Sequence, residues 1–316
     1  MSAIIETNNL TKVYEGVKRT QDVVALKDLT LSIEEGEIFG YLGPNGSGKT
    51  TTIKLLLGLL FPTEGTLKIL GREDIESREV RRNIGYLPEG AYYPEFLRGE
   101  EVLRFYGKLY GLGGQELENR ITESLKTVGM TRARKRLVRG YSKGMRQRIG
   151  LAQALISDPK ILILDEPTTG LDPIARKEIR DILVRLRDEG KTLMISSHEL
   201  LEVELISDRV AILSEGELQA SGTLQELLTE RDLILEVRGI APEALGNLER
   251  AGVEVQDKIK DTAKLRVPPS VSVYDAIEKC KAEQVVLASL APRRETLEEL
   301  FVRVVGDAEK RREESA

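Results

Sequence analysis

The run of residues 43–50 constrains this chain more than any other feature. It reads Gly-Pro-Asn-Gly-Ser-Gly-Lys-Thr and satisfies the pattern G-x-x-x-x-G-K-S/T. A strand-like apolar segment, 38–42, precedes it, and a helix-like segment, 51–56, follows it. A glycine-rich turn in this position lets successive backbone N–H groups point at a phosphate chain, assisted by the positive end of the helix. The sequence therefore predicts a site for a nucleoside triphosphate in this phosphate loop (residues 43–50).

Composition limits the class of protein. The 316 residues are enough for two domains, and 41% hydrophobic and 31% charged residues are typical of a globular protein. The net charge of −5 argues against nucleic acid as the main partner, because such proteins usually carry a basic face. The single cysteine, Cys280, excludes an internal disulfide and fits a reducing cytosol. No apolar stretch approaches the roughly 18 residues of a membrane span, so we expect any membrane role to go through a partner.

Apolar patterning predicts an α/β fold. The runs 161–164 and 192–196 are apolar without alternation, which is typical of parallel strands covered on both faces. Helical spacing of apolar residues predicts a helical subdomain within 97–138. The first segment reads as paired strands at 4–6, 11–14, 23–26 and 29–33, with strict alternation of apolar and polar residues in 29–33.

The character of the sequence changes after about Leu228. A strand, a helix, a hairpin, a second helix and a last strand follow. This β-α-β-β-α-β order suggests a small ferredoxin-like α+β domain. We predict a nucleotide-binding domain at 1–228, an accessory domain at 229–306 and a charged, disordered tail at 307–316.

Two acids close the apolar run 161–164. Asp165 stands where an aspartate beside a phosphate loop can hold Mg²⁺, and the adjacent Glu166 can orient and deprotonate an attacking water. The alternative is a pair of acids that merely begins a loop. Within the phosphate loop, Lys49 is predicted to reach the β- and γ-phosphates, and the Thr50 hydroxyl to ligate Mg²⁺.

The signature segment (residues 141–148) reads Tyr-Ser-Lys-Gly-Met-Arg-Gln-Arg and lies just upstream of that run. Together these motifs resemble the ATP-binding subunit of an ABC transporter of the exporter type, over roughly residues 4–228. The resemblance implies a P-loop NTPase core with an antiparallel β subdomain and a helical subdomain. Ser142 and Gly144 match two positions of the family's L-S-G-G-Q motif, whereas Tyr141, Lys143 and Met145 depart from it.

The resemblance also assigns roles to individual residues. Catalysis would fall to Glu166, to Lys49 and to His198, the family's switch histidine and the only histidine of this chain. Mg²⁺ would be held by Thr50, Asp165 and Glu89, which stands where most relatives carry glutamine. ATP would be bound by Tyr14, Gly43, Pro44, Asn45, Gly46, Ser47, Gly48, Lys49, Thr50 and Thr51, and across a dimer interface by Ser142, Gly144 and Asp172.

Three of these assignments keep a plain structural alternative. Tyr14, matched to the aromatic that stacks on adenine, could simply pack on its neighbours at a strand edge. His198 could be a structural histidine and Glu89 an ordinary solvated acid.

The resemblance implies an ATPase that powers a separate integral-membrane permease, with ATP sandwiched in a homodimer or in a dimer with a paralogous subunit. We expect it at the cytoplasmic face of the membrane, held there by the permease. An aromatic cluster at Tyr92, Tyr93, Phe96 and Leu97 could form the docking surface or a local core. The alternatives are a non-transport ABC ATPase acting on ribosomes or nucleic acid, and a binding module without turnover.

Overall fold

The computed structural model describes residues 3–16, 22–90, 92–228, 230–268, 271–283 and 285–313. Two compact units result, one made of Met1–Leu224 with Phe301–Ala316 and the other of Gln225–Leu300.

The first unit combines strands and helices in mixed order. Its strands are β1 (Ala3–Tyr14), β2 (Val23–Glu34), β3 (Ile38–Leu42), β4 (Glu64–Ile69), β5 (Ile84–Leu87), β6 (Ile161–Asp165), β7 (Thr192–Ser197), β8 (Arg209–Ser214) and β9 (Glu217–Thr223). Its helices are α1 (Lys49–Leu56), α2 (Arg78–Arg82), α3 (Gly99–Leu109), α4 (Gly114–Thr127), α5 (Lys143–Ala154), α6 (Pro173–Asp188) and α7 (Leu200–Glu204), and α8 (Leu224–Leu227) follows.

The central sheet explains why several strands read as unbroken apolar runs. Its order is β5-β6-β7-β3-β8-β9, and every neighbouring pair is parallel except β8 with β9. All five residues of β3, the strand between β7 and β8, are buried, as expected for a parallel strand covered on both faces. The carboxyl ends of β3, β6 and β7 meet at one edge, which is where ligands bind in open α/β sheets. Strand β5 ends at Leu87, so Pro88 and Glu89 lie just beyond its carboxyl end.

The antiparallel sheet has the order β2-β1-β4. The four short strands predicted before the phosphate loop are two strands of 12 residues each. Asn9 and Asp28 interrupt the apolar alternation, but they adopt left-handed φ values of 47° and 48° within the strands instead of ending them. The register of β1 with β2 shifts near Asn9, as expected for bulges.

The predicted helical region contains α3 and α4, with short 3₁₀ turns at Thr131–Ala133 and Val138–Gly140. Its aromatic cluster divides into two parts. Tyr93 packs against the core and meets Tyr106 edge to face, with 6.0 Å between ring centroids, and Leu97 packs there too. By contrast, Tyr92 is 93% exposed and Phe96 76% exposed. The local core and the exposed surface are therefore both present.

The second unit has the strands β10 (Glu230–Arg238), β11 (Glu254–Ile259), β12 (Thr262–Val267) and β13 (Val286–Arg294), and the helices α9 (Pro242–Arg250) and α10 (Val273–Ala282). All neighbouring strands are antiparallel, in the order β11-β12-β10-β13. Leu235, Leu248 and Leu265 are fully buried in a core of its own.

Helix α11 (Leu297–Glu313) corrects the predicted tail. The sequence predicts disorder from Asp307, but the chain stays helical through Glu313. Arg312 forms an ion pair with Glu215, and Arg311 Nη2 donates to Gln219 Oε1 at 3.2 Å. This highly charged segment contacts partners that are distant in the sequence, which its local composition does not reveal. Across the described ranges, no helix combines the length and apolarity that crossing a bilayer requires.

Candidate functional site

The phosphate loop connects the end of β3 to the start of α1. Gly48 is the N-cap residue of α1 and has no side chain to satisfy the first N–H groups of the helix. Its φ of +102° is in the region that favours glycine, and a Cβ there would lie 2.6 Å from the Ala25 carbonyl oxygen. The helix therefore begins with backbone donors that are available to an anion.

Two side chains of the loop indicate an anionic ligand. Lys49 Nζ donates to the carbonyl oxygens of Gly43 at 2.6 Å and Pro44 at 3.0 Å, so the ammonium is folded over the loop. Burial lowers the pKa of Lys49, while the charges of Glu166 and Asp165 oppose that change. The Ser47 hydroxyl oxygen is buried without a hydrogen-bond partner in the described structure. A bound phosphate chain would satisfy both groups.

Asp165 ends strand β6 at the same edge of the sheet. Burial is the main cause that raises the pKa of its carboxyl, and the hydrogen bond donated by Ser196 Oγ and the charge of Lys49 oppose the rise. Ser196 lies on the neighbouring strand β7, so the sheet itself fixes this pair. A half-buried carboxylate with a defined orientation is suited to hold a cation.

Glu166 follows in a backbone conformation that is unusual for a residue with a side chain. Its φ is +52°, and its N–H donates to the Ser196 carbonyl oxygen at 3.0 Å. The side chain is buried, with Oε2 accepting from Thr169 Oγ1 at 2.7 Å and Oε1 lying 2.8 Å from His198 Nδ1. Residues with positive φ are concentrated at functional sites. Two side chains thus fix the orientation of this carboxylate.

These groups line one cavity of about 530 Å³, the nucleotide cavity. It brings together most of the predicted site residues, although they are far apart in the sequence. The lining consists of residues 43–51, Ala25, Glu89, Asp165, Glu166, His198 and Phe301.

Tyr14 lies beside this cavity but does not line it. Its hydroxyl is 3.5 Å from Thr51 Oγ1, and the ring is 39% exposed. Lys12 Nζ lies 5.7 Å from the ring centroid. An exposed ring next to Thr51 leaves aromatic surface near the start of α1.

Ser142, Gly144 and Asp172 lie outside the nucleotide cavity of their own chain. Ser142 caps α5 by accepting from Met145 N at 3.2 Å, and Asp172 caps α6 by accepting from Ala175 N at 2.9 Å. A Cβ at Gly144 would lie 3.1 Å from Ala175 Cβ, so the two capped helix ends are neighbours. As an acceptor, the Ser142 hydroxyl keeps its hydrogen free to donate elsewhere.

Four residues of the site were missed by sequence reasoning. Ser196 and Thr169 hold the two acids, and Ala25 and Phe301 complete the cavity wall. Thr169 offered a local signal, because it follows Glu166 by three residues in a loop. Phe301 offered none, because its contact depends on the path of α11.

The comparisons with known proteins agree with this geometry. A family model described as ABC transporter matches residues 26–169. An uncharacterised ABC transporter ATP-binding protein of Synechocystis is 44% identical over 247 residues, covering 77% of this chain and 70% of its own. The bacitracin transport ATP-binding protein BcrA of Bacillus licheniformis is 34% identical over 97% of this chain and 98% of its own length. The daunorubicin resistance ATP-binding protein DrrA3 of Streptomyces coeruleorubidus is 35% identical over 92% and 94%.

Solved structures give the same result. An ATP-binding subunit of an ABC transporter is 32% identical and superposes with a TM-score of 0.61, over 71% of this chain and 91% of its own. A dimeric ATP-binding cassette in a post-hydrolysis state, bound to ADP and Pi, is 28% identical with a TM-score of 0.63, over 70% and 98%. The predicted α/β P-loop NTPase fold is confirmed. The chain therefore belongs to the ATP-binding subunits of ABC transporters, a family of ATPases.

Proposed function

We propose that this chain binds ATP in the nucleotide cavity, hydrolyses it at an interface between two subunits, and thereby powers an integral-membrane permease that exports its cargo. The observation that carries the proposal is the convergence of Lys49, Asp165, Glu166 and His198 around one phosphate loop. That set supplies a cation, a metal ligand, a base and a polar sensor for phosphoryl transfer.

Phosphate binding falls to the loop and to α1. The N–H groups of the first helical turn and the Ser47 hydroxyl would donate to phosphate oxygens. Lys49 would leave its contacts with Gly43 and Pro44 and turn to the β- and γ-phosphates. Its partly buried ammonium would interact more strongly with the phosphates than an exposed one, because little water screens it.

The cavity also fits Mg²⁺. Thr50, Glu89 and Asp165 offer the oxygen ligands that this ion prefers, and all three line the cavity. Within the described ranges, no group of three His, Cys, Asp or Glu side chains could hold a metal alone, so phosphate and water oxygens would complete the coordination. When bound, the ion neutralises developing negative charge on the phosphates.

Glu166 is placed to act as the general base. Thr169 donates to one carboxylate oxygen, so the other oxygen faces His198 and the cavity. A water between that oxygen and the γ-phosphate would lose its proton to Glu166 during in-line attack. His198, with a 59% exposed side chain, can turn toward the γ-phosphate and report its presence.

The second half of each site would come from a partner copy or a paralogous subunit. Ser142 is exposed, and its hydroxyl hydrogen is not needed for the helix cap. Together with the N–H groups at the start of α5, it could clasp a γ-phosphate held by the other subunit. Asp172 has one oxygen engaged in its cap and a second available to that subunit. Loss of the γ-phosphate would then release the dimer.

A mixing experiment tests the shared site. Lys49→Ala destroys the phosphate contact, and Ser142→Asp keeps an N-cap residue but sets a negative charge against the phosphate. Each variant alone should be inactive. In a shared site, the mixed dimer contains one intact site, because Lys49 comes from one copy and Ser142 from the other. Equal amounts should restore about a quarter of wild-type ATPase activity, since half the dimers are mixed and each has one of two sites intact.

If each site were built from a single chain, mixing would restore nothing. That result would overturn the dimer proposal while leaving ATP binding in the cavity untouched.

A groove beside α1 is suited to the permease. It has a volume of about 540 Å³, with Leu57, Leu59 and Leu109 as apolar members and arginines that include Arg78 and Arg81 on the same lining. Leu59 and Leu109 are 65% and 68% exposed. An amphipathic cytoplasmic helix of the permease, apolar on one face and flanked by acids, would complement it. Leu59→Glu should abolish co-purification with the permease. Ile259→Glu is the control, because Ile259 lies in the second unit and is 67% exposed, and basal ATPase activity should be unchanged in both variants.

The cargo class follows only from the named relatives. Their association with bacitracin transport and daunorubicin resistance supports an exporter of drug-like or antibiotic compounds. The second unit would be a ferredoxin-like accessory domain, and the subunit would lie on the cytoplasmic face of the membrane. Co-purification of an integral-membrane protein would support this assignment, and recovery with ribosomes or nucleic acid instead would contradict it.

A further inference from the structure

Phe301 lines the nucleotide cavity although it lies about 250 residues beyond the phosphate loop. It belongs to α11 and to the same compact unit as the loop. Its side chain is half-buried, whereas that of the next residue, Val302, is 66% exposed. The helix therefore presents one aromatic ring to the cavity and an aliphatic side chain to solvent.

The helix is held to the same unit at its far end. Arg312 pairs with Glu215 in the turn between β8 and β9, and Arg311 donates to Gln219 on β9. The next residue of that turn, Gly216, donates its N–H to the Ser47 carbonyl oxygen at 3.0 Å. Helix α11 is thus attached to a turn that is itself hydrogen-bonded to the phosphate loop.

The Phe301 ring is apolar, and this limits which part of a nucleotide it can contact favourably. A phenyl group offers no hydrogen bond to a phosphate, and the lining near the catalytic groups is polar, with Glu89, Asp165 and Glu166. The flat surfaces of the base and ribose are the complement of an aromatic ring. Ala25 is the other apolar residue contributed from outside the loop.

We propose that Phe301 is a nucleotide-binding residue whose ring packs on the nucleoside of the bound ATP, so that the C-terminal helix completes the site. The inference rests on ATP binding in the nucleotide cavity, as proposed above. It adds a contact from the end of the chain to a site otherwise built from the first 200 residues.

Affinity measurements separate a nucleoside contact from a general structural effect. Phe301→Ala should weaken ADP binding by about tenfold, which is the usual size of one lost aromatic–base contact. Binding of inorganic tripolyphosphate, which has no base or ribose, should stay unchanged. Val302→Ala on the exposed face is the matched control and should alter neither affinity.

A fluorescence experiment gives a direct readout, because the chain contains no tryptophan. Phe301→Trp should introduce a signal that ADP changes with the midpoint of binding, while tripolyphosphate leaves it unchanged. Val302→Trp should respond to neither ligand.

An unchanged ADP affinity in Phe301→Ala, or equal losses for ADP and tripolyphosphate, would overturn the inference. If Lys49→Ala still abolished ADP binding in that case, only the role of Phe301 would be rejected. Failure of the wild-type chain to bind ADP at all would reject the nucleotide site as well.

Discussion

The nucleotide cavity and the signature segment differ in how completely one chain builds them. In the cavity, Lys49, Asp165, Glu166 and His198 converge from three strand ends, and each acid already has a hydrogen-bond partner. In the signature segment, Ser142 is exposed, serves as a helix cap and does not line the nucleotide cavity of its own chain. Sheet topology therefore assembles the cavity residues within one chain, and in the proposed dimer the signature segment of a second molecule supplies the remaining contacts.

The largest expected effect comes from the base. Glu166→Gln should lower the hydrolysis rate by about 10³-fold, because it removes the proton acceptor, while ATP affinity stays within a fewfold. ATP should then hold the dimer closed, which light scattering after size exclusion would detect. A monomer under these conditions would contradict the shared site. If the site is shared, adding Ser142→Asp to the same chain should dissociate the dimer.

The second-largest effect is expected in the signature segment. Ser142→Asp should lower steady-state ATPase activity by about 100-fold, because like charges brought together at an interface cost several kcal/mol. ADP affinity of the isolated chain should not change, since the residue lies outside its own cavity. Ser142→Asn, which also caps helices well, is the neutral control and should retain much more activity.

The hydrogen bond from Thr169 orients the Glu166 carboxylate, and its removal measures how much that orientation contributes to the rate. Thr169→Ala removes the hydrogen bond to Glu166 and should lower kcat by about tenfold, with KM little changed. Thr169→Ser retains the hydroxyl and should recover most of the rate. A parallel change in KM, or no recovery with serine, would indicate that the residue acts on folding instead of on the base.

Asp165 in the cavity and Asp172 at the start of α6 should respond oppositely in stability. The raised pKa of Asp165 means that the folded state holds this proton more tightly than the unfolded chain does. The contribution to stability is present below the ordinary pKa of 3.8 and is lost as pH rises through the raised value. Asp165→Asn should therefore raise Tm at pH 7, by about 2–4 °C without ligand, and the gain should vanish below pH 3.8.

Asp172→Ala should instead lower the free energy of unfolding by about 1 kcal/mol, because it removes a helix cap, and Asp172→Ser should restore it.

The smallest effect is expected at Glu89. The side chain is exposed at the rim of the cavity. The family resemblance implies glutamine at the matching position. Glu89→Gln should keep ATPase activity within about threefold, and the Mg²⁺ concentration that gives half the maximal rate should rise, because a neutral oxygen binds the ion less strongly. Loss of activity in a folded protein would show that the charge is required.

Local signals in the sequence predict the cavity well. The phosphate loop has a spacing that demands a strand before it and a helix after it, and Ile38–Leu42 and α1 follow that pattern. Unbroken apolar runs identify β6 and β7 because both faces of a parallel strand are covered. The acids at the end of β6 are then placed by the sheet.

Contacts between distant residues could not be predicted in this way. The composition at the end of α11 predicts disorder. Arg311 and Arg312 contact Gln219 and Glu215, and these contacts form only in the folded chain, where β8 and β9 lie beside the helix. Asn9 and Asp28 resemble turn residues, yet the pairing of β1 with β2 absorbs them as bulges. Phe301 carries no motif at all.

Strand β3 pairs only with β7 and β8, which are synthesised more than 150 residues after it. At translation rates of about 5–20 residues per second, β7 and β8 are synthesised on the order of 10–30 s after β3 and the phosphate loop. During that interval Ile38–Leu42 is an unpaired apolar segment, the kind of sequence that chaperones protect and that aggregates without them. Nascent chains stalled before β8 should consequently fail to retain nucleotide, and those released after it should succeed.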